Sequence, residues 1–324
     1  MTRVSASAPG KIILLGEHAV VYGQPALAAP VTQVQATATI DPHPQPGLRP
    51  SLRERGVWID ARTLKRRYRL DEARAGDPLA AAIRLTFSSL QLPVTNHHFT
   101  LTLDSTIPIA SGLGSGAAVC TAIVRALANY FQFPISNLQV SNIVFETEKL
   151  LHGTPSGIDN TVIAYGQPVY FIKGQPPQPF TVAQPFHLLI ADTGLPGPTR
   201  IAVGDVRTAW QTEPERFEAL FRAVGEIVRA AREVIETLKV SETFRVLGDL
   251  MNRNHDLLRE MTVSCAELEA LVASARRAGA LGAKLSGGGR GGNMIALVAP
   301  ETEAAVRAAL GAAGARRVIS TIIS

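Results

Sequence analysis

The chain has 324 residues, of which 46% are hydrophobic and 18% are charged. These values exclude a disordered chain and a coiled coil, and the length predicts two folded domains. The net charge of +5 comes from arginines spread along the whole chain without interleaved aromatic residues, so the charge does not indicate a nucleic-acid partner.

The first 74 residues are predicted to form strands and one exposed basic stretch. An apolar run at 12–15, a turn at 16–23 and alternation over 33–40 indicate a pair of strands. The apolar run is too short for a signal peptide, and no stretch approaches the roughly 18 apolar residues of a membrane span, so we expect a cytosolic protein. The arginine-rich residues 49–74 are interpreted as a solvated loop or hairpin, with a tract for phosphate backbones as the alternative.

Residues 78–151 are predicted to fold as helix, strand, glycine loop, helix and helix. The helices cover 78–90, 115–131 and 136–151, with Ser136 as N-cap of the last, and the strand covers 99–104. Five prolines within 168–187 then indicate a junction, so we predict domains at 1–185 and 186–324.

The second domain is predicted to be a ferredoxin-like α+β layer with added helices. A strand at 187–192 precedes helical patterns over 200–239 and 241–259 and a helix after Cys265. A strand, a glycine turn and a strand follow over 283–298, then a helix from 301 and a strand from 316. Cys120 and Cys265 lack a metal or redox spacing and are interpreted as reduced core thiols.

Residues 112–116, Gly-Leu-Gly-Ser-Gly, lie between a predicted strand and a predicted helix. Glycines there let backbone N–H groups approach phosphate oxygens, and the helix N-terminus adds partial positive charge. No lysine follows these glycines, which disfavours a P-loop. A turn that needs glycine only for its backbone angles is the alternative.

Two further segments stand out for their chemistry. Residues 287–292 match G-x-G-x-x-G but lie between strands, so we expect close backbone approach to a nucleotide or a facing loop, with Arg290 meeting phosphate or solvent. Glu148 falls in the last turn of its helix, where an anion costs about 0.3–1 kcal/mol. Either Lys149 and solvent offset that cost, or the carboxylate faces a cation. Asp159 follows in a turn, where a helix cap is the alternative to a functional role.

Four ordered segments resemble the GHMP small-molecule kinases along nearly the whole chain. They are PGKIILLGEHAVVYG, PIASGLGSGAA, EKLLHGTPSGIDN and KLSGGGRGGN. The resemblance implies a two-domain α+β GHMP kinase fold, with an N-terminal mixed α/β nucleotide-binding domain, and an enzyme that uses ATP and Mg²⁺. GEHAVVYG and HGTPSGIDN most resemble the members that phosphorylate the C5 hydroxyl of (R)-mevalonate in isoprenoid biosynthesis.

The resemblance also assigns roles to single residues. Asp159 is implied as the catalytic base, or as the residue that orients the substrate hydroxyl, with Lys11 beside it. Glu148 and Ser115 are implied as magnesium ligands, and His18 as a partner of the substrate carboxylate. The nucleotide-binding residues it implies are Pro108, Ser111, Gly112, Leu113, Gly114, Ser115, Gly116 and Ala117. The substrate residues are Glu17, His18, Gly157 and Thr199, and the third glycine motif contributes Gly287, Gly288, Gly289 and Arg290.

The sequence departs from the family motifs in two places. The phosphate loop usually has a serine where Gly116 stands, so Ser115 or water would complete the metal shell. The last motif usually reads Gly-Ala-Gly-Gly-Gly-Gly-Cys, whereas this chain has Gly288, Arg290 and Asn293 at three of those positions. The alternatives are another GHMP kinase acting on phosphomevalonate or a sugar, and a non-catalytic ligand-binding protein; a homodimer is left open.

Overall fold

The computed structural model describes residues 2–43, 55–93, 97–108, 111–153, 155–197, 199–237 and 241–324. Contacts divide the chain into two compact units. The first comprises Met1–Gly10, Val34–Pro108 and Gly114–Gly166, and the second comprises Lys11–Gln33, Ile109–Leu113 and Gln167–Ser324. The domain division at 185/186 stays a prediction. In the described part of the chain, no helix has the length and apolar character that crossing a membrane requires.

The predicted N-terminal strand pair is confirmed, because β1 (Val4–Leu15) pairs with β2 (Ala26–Pro42). The C-terminal half of β2 runs antiparallel to β5 (Phe99–Ser105), which lies parallel to β3 (Val57–Ala61). β3 forms a hairpin with β4 (Arg66–Arg69). This hairpin is the described part of the basic stretch; residues 49–54 lie outside the described residues.

Arginines of this hairpin region bond to nearby carboxylates. Arg62 lies 3.4 Å from Asp104, and Arg69 lies 2.5 Å from Asp71. Most of these side chains are exposed, and exposed ion pairs of this kind contribute about 0–1 kcal/mol each. Since Arg62 and Arg69 are exposed or half-buried and already bound to carboxylates, these contacts are in keeping with a solvated face.

Helices α1 (Pro78–Ser89), α2 (Ser115–Tyr130) and α3 (Asn137–His152) of the first unit confirm the predicted helices. Ser136 caps α3 as predicted and forms a capping box with Gln139. The three helices pack together through buried side chains, including those of Phe87 and Ile123. A short helix that the sequence did not predict, α4 (Ile158–Tyr165), follows the third of them.

The second unit contains the predicted ferredoxin-like sheet. Its strands are β8 (Phe186–Asp192), β9 (Gly282–Ser286), β10 (Asn293–Val298) and β11 (Arg317–Ile323), in the order β11-β8-β10-β9 with antiparallel pairing. The proline-rich segment before this sheet is not irregular throughout. It holds β6 (Val169–Phe171), paired with the N-terminal half of β2, and β7 (Gln178–Pro179).

The helices of the second unit are α5 (Thr199–Thr212), α6 (Pro214–Thr237), α7 (Ser241–Glu260), α8 (Ala266–Arg277) and α9 (Pro300–Ala312). The pattern over 200–239 is therefore two helices, because proline is favourable in a first turn but not inside a helix. α7 packs closely on β9: a Cβ on Gly248 would come within 2.3 Å of the Leu281 carbonyl oxygen. Glycine is required at this contact.

Candidate active site

The backbone N–H groups in the first turn of α2 are hydrogen-bond donors for a ligand at the helix N-terminus. Its N-cap, Gly114, has a φ of 74°, a conformation that favours glycine. Among the described residues no side chain caps the helix, its first turn contains no acidic residue, and Gly116 is exposed. Unsatisfied N–H groups and the helix dipole together make an anion site. These features favour phosphate binding over a turn without a ligand.

Glu148 lies near the C-terminal end of α3, as predicted, and its side chain is buried, at 4% exposure. Solvent therefore does not offset the unfavourable helix dipole. The Lys149 ammonium binds Glu146 at 2.7 Å. Solvent and the Lys149 ammonium therefore do not explain the acid at this position, and the second sequence interpretation, in which the carboxylate faces a cation, stays a prediction.

The donor set of the first unit fits magnesium that arrives with a nucleotide. In the described residues no group of three or more His, Cys, Asp or Glu side chains could hold a metal ion. Mg²⁺ needs no such cage, because it is commonly held by one or two carboxylates together with substrate phosphates. Glu148 supplies a buried carboxylate, and Ser115, in the first turn of α2, supplies a hydroxyl.

Asp159 lies in the first turn of α4, so it is not the helix cap that the sequence offered as an alternative. The N-cap is Gly157, with a φ of 91°. The neighbouring Asn160 is buried and donates to the Ser141 hydroxyl on α3 at 2.9 Å. Asn160 thus fixes α4 against the helix that carries Glu148. A helix N-terminus also favours a negative charge at Asp159.

The glycine loop before Gly114 is held by bonds within the second unit. The Leu113 carbonyl accepts from the backbone N–H of Lys11 at 2.9 Å, and the Ser111 carbonyl accepts from the Asn293 side chain at 2.5 Å. Asn293, a departure from the family motif, therefore anchors the loop. Lys11 is buried, at 4% exposure, and it belongs to the second unit whereas Asp159 belongs to the first. The flanking Pro108 is partly buried and Ala117 fully buried.

Glu17 is placed in a buried ion pair. Its carboxylate binds the ammonium of Lys284 on β9, and both side chains are 0% exposed. The other carboxylate oxygen accepts from Asn254 on α7 at 3.4 Å. Burial lowers the pKa of Lys284, and the charge of Glu17 opposes that shift. The carboxylate predicted to serve the substrate is thus bound within the protein.

His18 has the geometry of a neutral hydrogen-bond acceptor. Burial lowers its pKa to about 4, and its Nε2 lies 3.0 Å from the Gly288 carbonyl oxygen, so Nε2 carries the proton. Nδ1 is then an acceptor; the atom is buried and has no hydrogen-bond partner among the described residues. Such an atom accepts from a hydroxyl and has no proton for a carboxylate. The φ of 60° is rare for a residue other than glycine and costs roughly 1–3 kcal/mol.

The third glycine motif packs against α5. A Cβ on Gly288 would come within 2.5 Å of Thr199 Oγ1, so only glycine fits there. The exposed Thr199 begins α5. Arg290 binds Asp205 on the same helix, and its Nε donates to the Thr262 carbonyl at 3.3 Å. Its guanidinium therefore holds protein groups, which neither sequence alternative anticipated. The close backbone approach expected at this motif is present, since a Cβ on Gly291 would come within 2.9 Å of the Pro196 carbonyl oxygen; an approach to nucleotide stays a prediction.

Sequence reasoning missed the residues that hold these groups in place. Lys284, Asn254 and Asn160 are all buried and each bonds a predicted site residue or its neighbour. Lys284 and Asn160 lie inside the quoted motifs. Their position there was the signal that could have indicated a buried polar role. Asn254 has no local signal, because its partner lies far away along the chain.

Known proteins place these features in one family. GHMP kinase models match the chain, the N-terminal domain at residues 79–167 and the C-terminal domain at 234–316. The mevalonate kinase of Thermococcus sibiricus is 36% identical over 335 residues, which cover 99% of this chain and 96% of that protein. The chain therefore belongs to the GHMP kinases and, within them, to the mevalonate kinase family.

Solved structures agree with the fold. L. major mevalonate kinase in complex with R-mevalonate has a TM-score of 0.82 and 30% identity, covering 99% of this chain and 95% of that chain. The Methanococcus jannaschii mevalonate kinase has a TM-score of 0.84 at 22% identity, covering 100% and 99%. This second likeness concerns the fold alone. The predicted two-domain α+β GHMP kinase fold is confirmed.

Proposed function

We propose that this protein transfers the γ-phosphoryl group of ATP to the C5 hydroxyl of (R)-mevalonate, giving 5-phosphomevalonate and ADP. The observation that carries the proposal is the 36% identity to a mevalonate kinase over 99% of the chain. The buried Glu148, Asp159 in a helix first turn and the open N-terminus of α2 supply the groups that this reaction needs.

Asp159 and Lys11 act on the hydroxyl. The C5 oxygen attacks the γ-phosphorus, the bond from that phosphorus to the β,γ-bridging oxygen breaks, and the hydroxyl proton passes to the Asp159 carboxylate. The Lys11 ammonium stabilises negative charge on the oxygens of the transferred group. Most of the catalysis is therefore positioning and charge stabilisation.

The nucleotide phosphates bind at the start of α2. Backbone N–H groups of Gly114, Ser115 and Gly116 donate to phosphate oxygens. Glu148 and Ser115 would hold Mg²⁺, which would neutralise phosphate charge. Because Gly116 has no hydroxyl, a water molecule would take the place of the usual serine ligand. A water ligand is usual for Mg²⁺, so the departure at Gly116 is compatible with catalysis.

The substrate is held by groups of the second unit. His18 Nδ1 accepts from a hydroxyl of the bound acid, since the neutral ring has no second proton to give. Thr199, exposed at the start of α5, donates its hydroxyl to the same ligand. We therefore assign His18 a hydroxyl and not the carboxylate that the sequence suggested.

A coupled ADP-release assay over mevalonate, phosphomevalonate and galactose tests the proposal. We expect turnover with mevalonate alone. No response to mevalonate, or a stronger response to either other substrate, contradicts the assignment. ATP binding without transfer to any of the three supports a non-catalytic protein instead.

Asp159→Asn tests the assigned base. We expect turnover to fall by about 10³-fold or more because the proton acceptor is lost, while the melting temperature falls only slightly because an anion leaves a helix N-terminus. Asp104→Asn is the matched control, since Asp104 is an exposed carboxylate of the same unit. If Asp159→Asn keeps near-normal turnover, another group is the base.

A further inference from the structure

Three side-chain bonds tie the segment 13–18 to the segment 284–288. Ser286 Oγ donates to the Ile13 carbonyl at 2.8 Å, Lys284 binds Glu17, and His18 donates to the Gly288 carbonyl at 3.0 Å. The contacts join residues about 270 positions apart in sequence and lie within one compact unit. The strand end that precedes His18 is thus fixed along its length to β9 and the glycine turn after it.

The central contact of the three is also the most deeply buried. Glu17 and Lys284 are both 0% exposed, and Lys284 also donates to the Leu285 carbonyl at 2.5 Å. A charge in such a place is tolerated only with its partner, and removing one member of a buried pair leaves the other uncompensated. The pair therefore holds its two segments in one relative position.

Helix α7 supports the same contact from the other side. Asn254 donates to Glu17, Asn252 accepts from the Ala283 backbone at 3.0 Å, and His255 Nδ1 accepts from the Leu285 backbone at 3.3 Å. His255 in turn faces Glu269 on α8 at 3.1 Å. The ion pair is thus one part of a polar network that includes α7 and β9.

His18 needs such support because of its own geometry. Its φ of 60° is a conformation that residues other than glycine rarely adopt, and surrounding structure must hold it. Its ring is fixed by the Gly288 carbonyl, and Gly288 is separated from Lys284 by only three residues. A shift between Glu17 and Lys284 would move both the backbone and the ring partner of His18.

From this geometry we propose that Glu17 and Lys284 are positioning residues for the substrate, not substrate contacts. Their buried pair holds His18 with Nδ1 ready to accept a hydroxyl of the bound acid. The inference rests on the proposed mevalonate kinase function for its substrate, but the contacts that carry it lie inside the second unit.

The double variant Glu17→Met/Lys284→Met separates positioning from stability. Lys284→Met alone leaves Glu17 unpaired and should lower the melting temperature sharply, whereas the double variant should recover most of it, because an apolar pair replaces both charges. We expect the double variant to raise KM for mevalonate about tenfold while KM for ATP changes less than about twofold, a difference of about one decade in substrate affinity.

Glu213→Met/Arg216→Met is the matched control, since this pair lies in the same unit but is half-exposed. It should change neither KM. A folded Glu17→Met/Lys284→Met enzyme with a normal KM for mevalonate overturns the proposal, and so does an equal rise in both KM values. If the double variant does not fold, Asn254→Leu, which keeps the ion pair, should raise KM for mevalonate about threefold; an unchanged KM would overturn the proposal.

A second measurement does not depend on turnover. The long-range ¹H–¹⁵N spectrum of the imidazoles, with the His18 signal assigned by its loss in His18→Gln, should show an Nε2–H tautomer in the wild type. In the Glu17→Met/Lys284→Met variant we expect mixed tautomers. A wild type that ignores mevalonate but shows this change would refute the proposed function alone. An unchanged His18 signal in the variant would refute the positioning role.

Discussion

The predicted site residues of the two compact units are held in different ways. In the first unit, Ser115, Glu148 and Asp159 are presented from the ends of α2, α3 and α4. In the second unit, Glu17, His18 and Arg290 are bound by other side chains or by carbonyls from distant segments. A helix end supplies partial charge and hydrogen-bond donors from its own backbone. The residues of the second unit are instead held by hydrogen bonds and ion pairs between segments far apart in sequence. Perturbations should therefore change chemistry in the first unit and shape or stability in the second.

We expect acid to destabilise the second unit first. The pKa of His18 and that of His255 are lowered by burial to about 4, so the unfolded chain binds more protons than the folded chain between pH 6.5 and 4. The free energy of unfolding therefore increases as the pH rises through that window and decreases as the pH falls. His18 accounts for a change of about 3 kcal/mol.

Urea unfolding of the wild type and of His18→Gln, from pH 7.5 to 4.5, measures this effect. The variant should show a smaller loss of stability below pH 6.5, because its residue 18 does not titrate. If the free energy of unfolding depends on pH equally in both proteins, His18 is not buried in its neutral form. The claim that acid acts on the second unit through His18 would then be wrong.

Glu148→Gln sharpens the first-unit side of the comparison. We expect the Mg²⁺ concentration for half-maximal turnover to rise about tenfold, which corresponds to about 1.4 kcal/mol of lost metal affinity. The melting temperature should stay constant or rise slightly, because an anion leaves a helix C-terminus.

A magnesium titration at fixed ATP checks that expectation. Glu146→Gln is the control, because Glu146 lies on the same helix, is exposed and pairs with Lys149. Equal shifts in the magnesium requirement of the two variants would remove Glu148 from the metal site.

The smallest effect is expected from the bond between Arg290 and Asp205. Both side chains are partly exposed, so the coupling measured by a double-mutant cycle with Arg290→Gly and Asp205→Asn should be about 0–1 kcal/mol. Arg290→Gly also removes a side chain from a φ of 56° and should relieve strain. Urea unfolding of the four proteins of the cycle, at low and at high salt, measures this coupling free energy. A value well above about 1 kcal/mol would show that the pair stabilises the second unit.

Local sequence patterns were sufficient for most of the fold. Alternation predicted β5, and Ser136 as an N-cap predicted the start of α3; the structure adds the capping box with Gln139. Helix α4 was missed because it has only eight residues and follows a glycine-rich turn. For the first unit, the resemblance to the family motifs assigned roles to Glu148 and Asp159, and these roles stay predictions.

The buried polar network around Lys284 in the second unit could not be predicted from the sequence, for a physical reason. A lysine in a strand is ordinarily exposed, and nothing near Lys284 indicates a partner 267 residues away. The role of Arg290 was missed likewise, since Asp205 lies on a separate helix. Pairings of this kind depend on the tertiary fold, which periodicity and capping rules do not specify.

Asn293 stands where the family motif usually has a cysteine, and its amide holds the Ser111 carbonyl of the glycine loop. The loop is therefore secured by a group that neither oxidises nor alkylates. The chain's two cysteines are free: Cys120 is buried, as predicted, but Cys265 is partly exposed and not a core thiol. Burial raises the pKa of Cys120 to about 12 and also raises that of Cys265, so both stay protonated at neutral pH and react slowly. The enzyme should consequently tolerate peroxide and maleimides without losing its nucleotide loop.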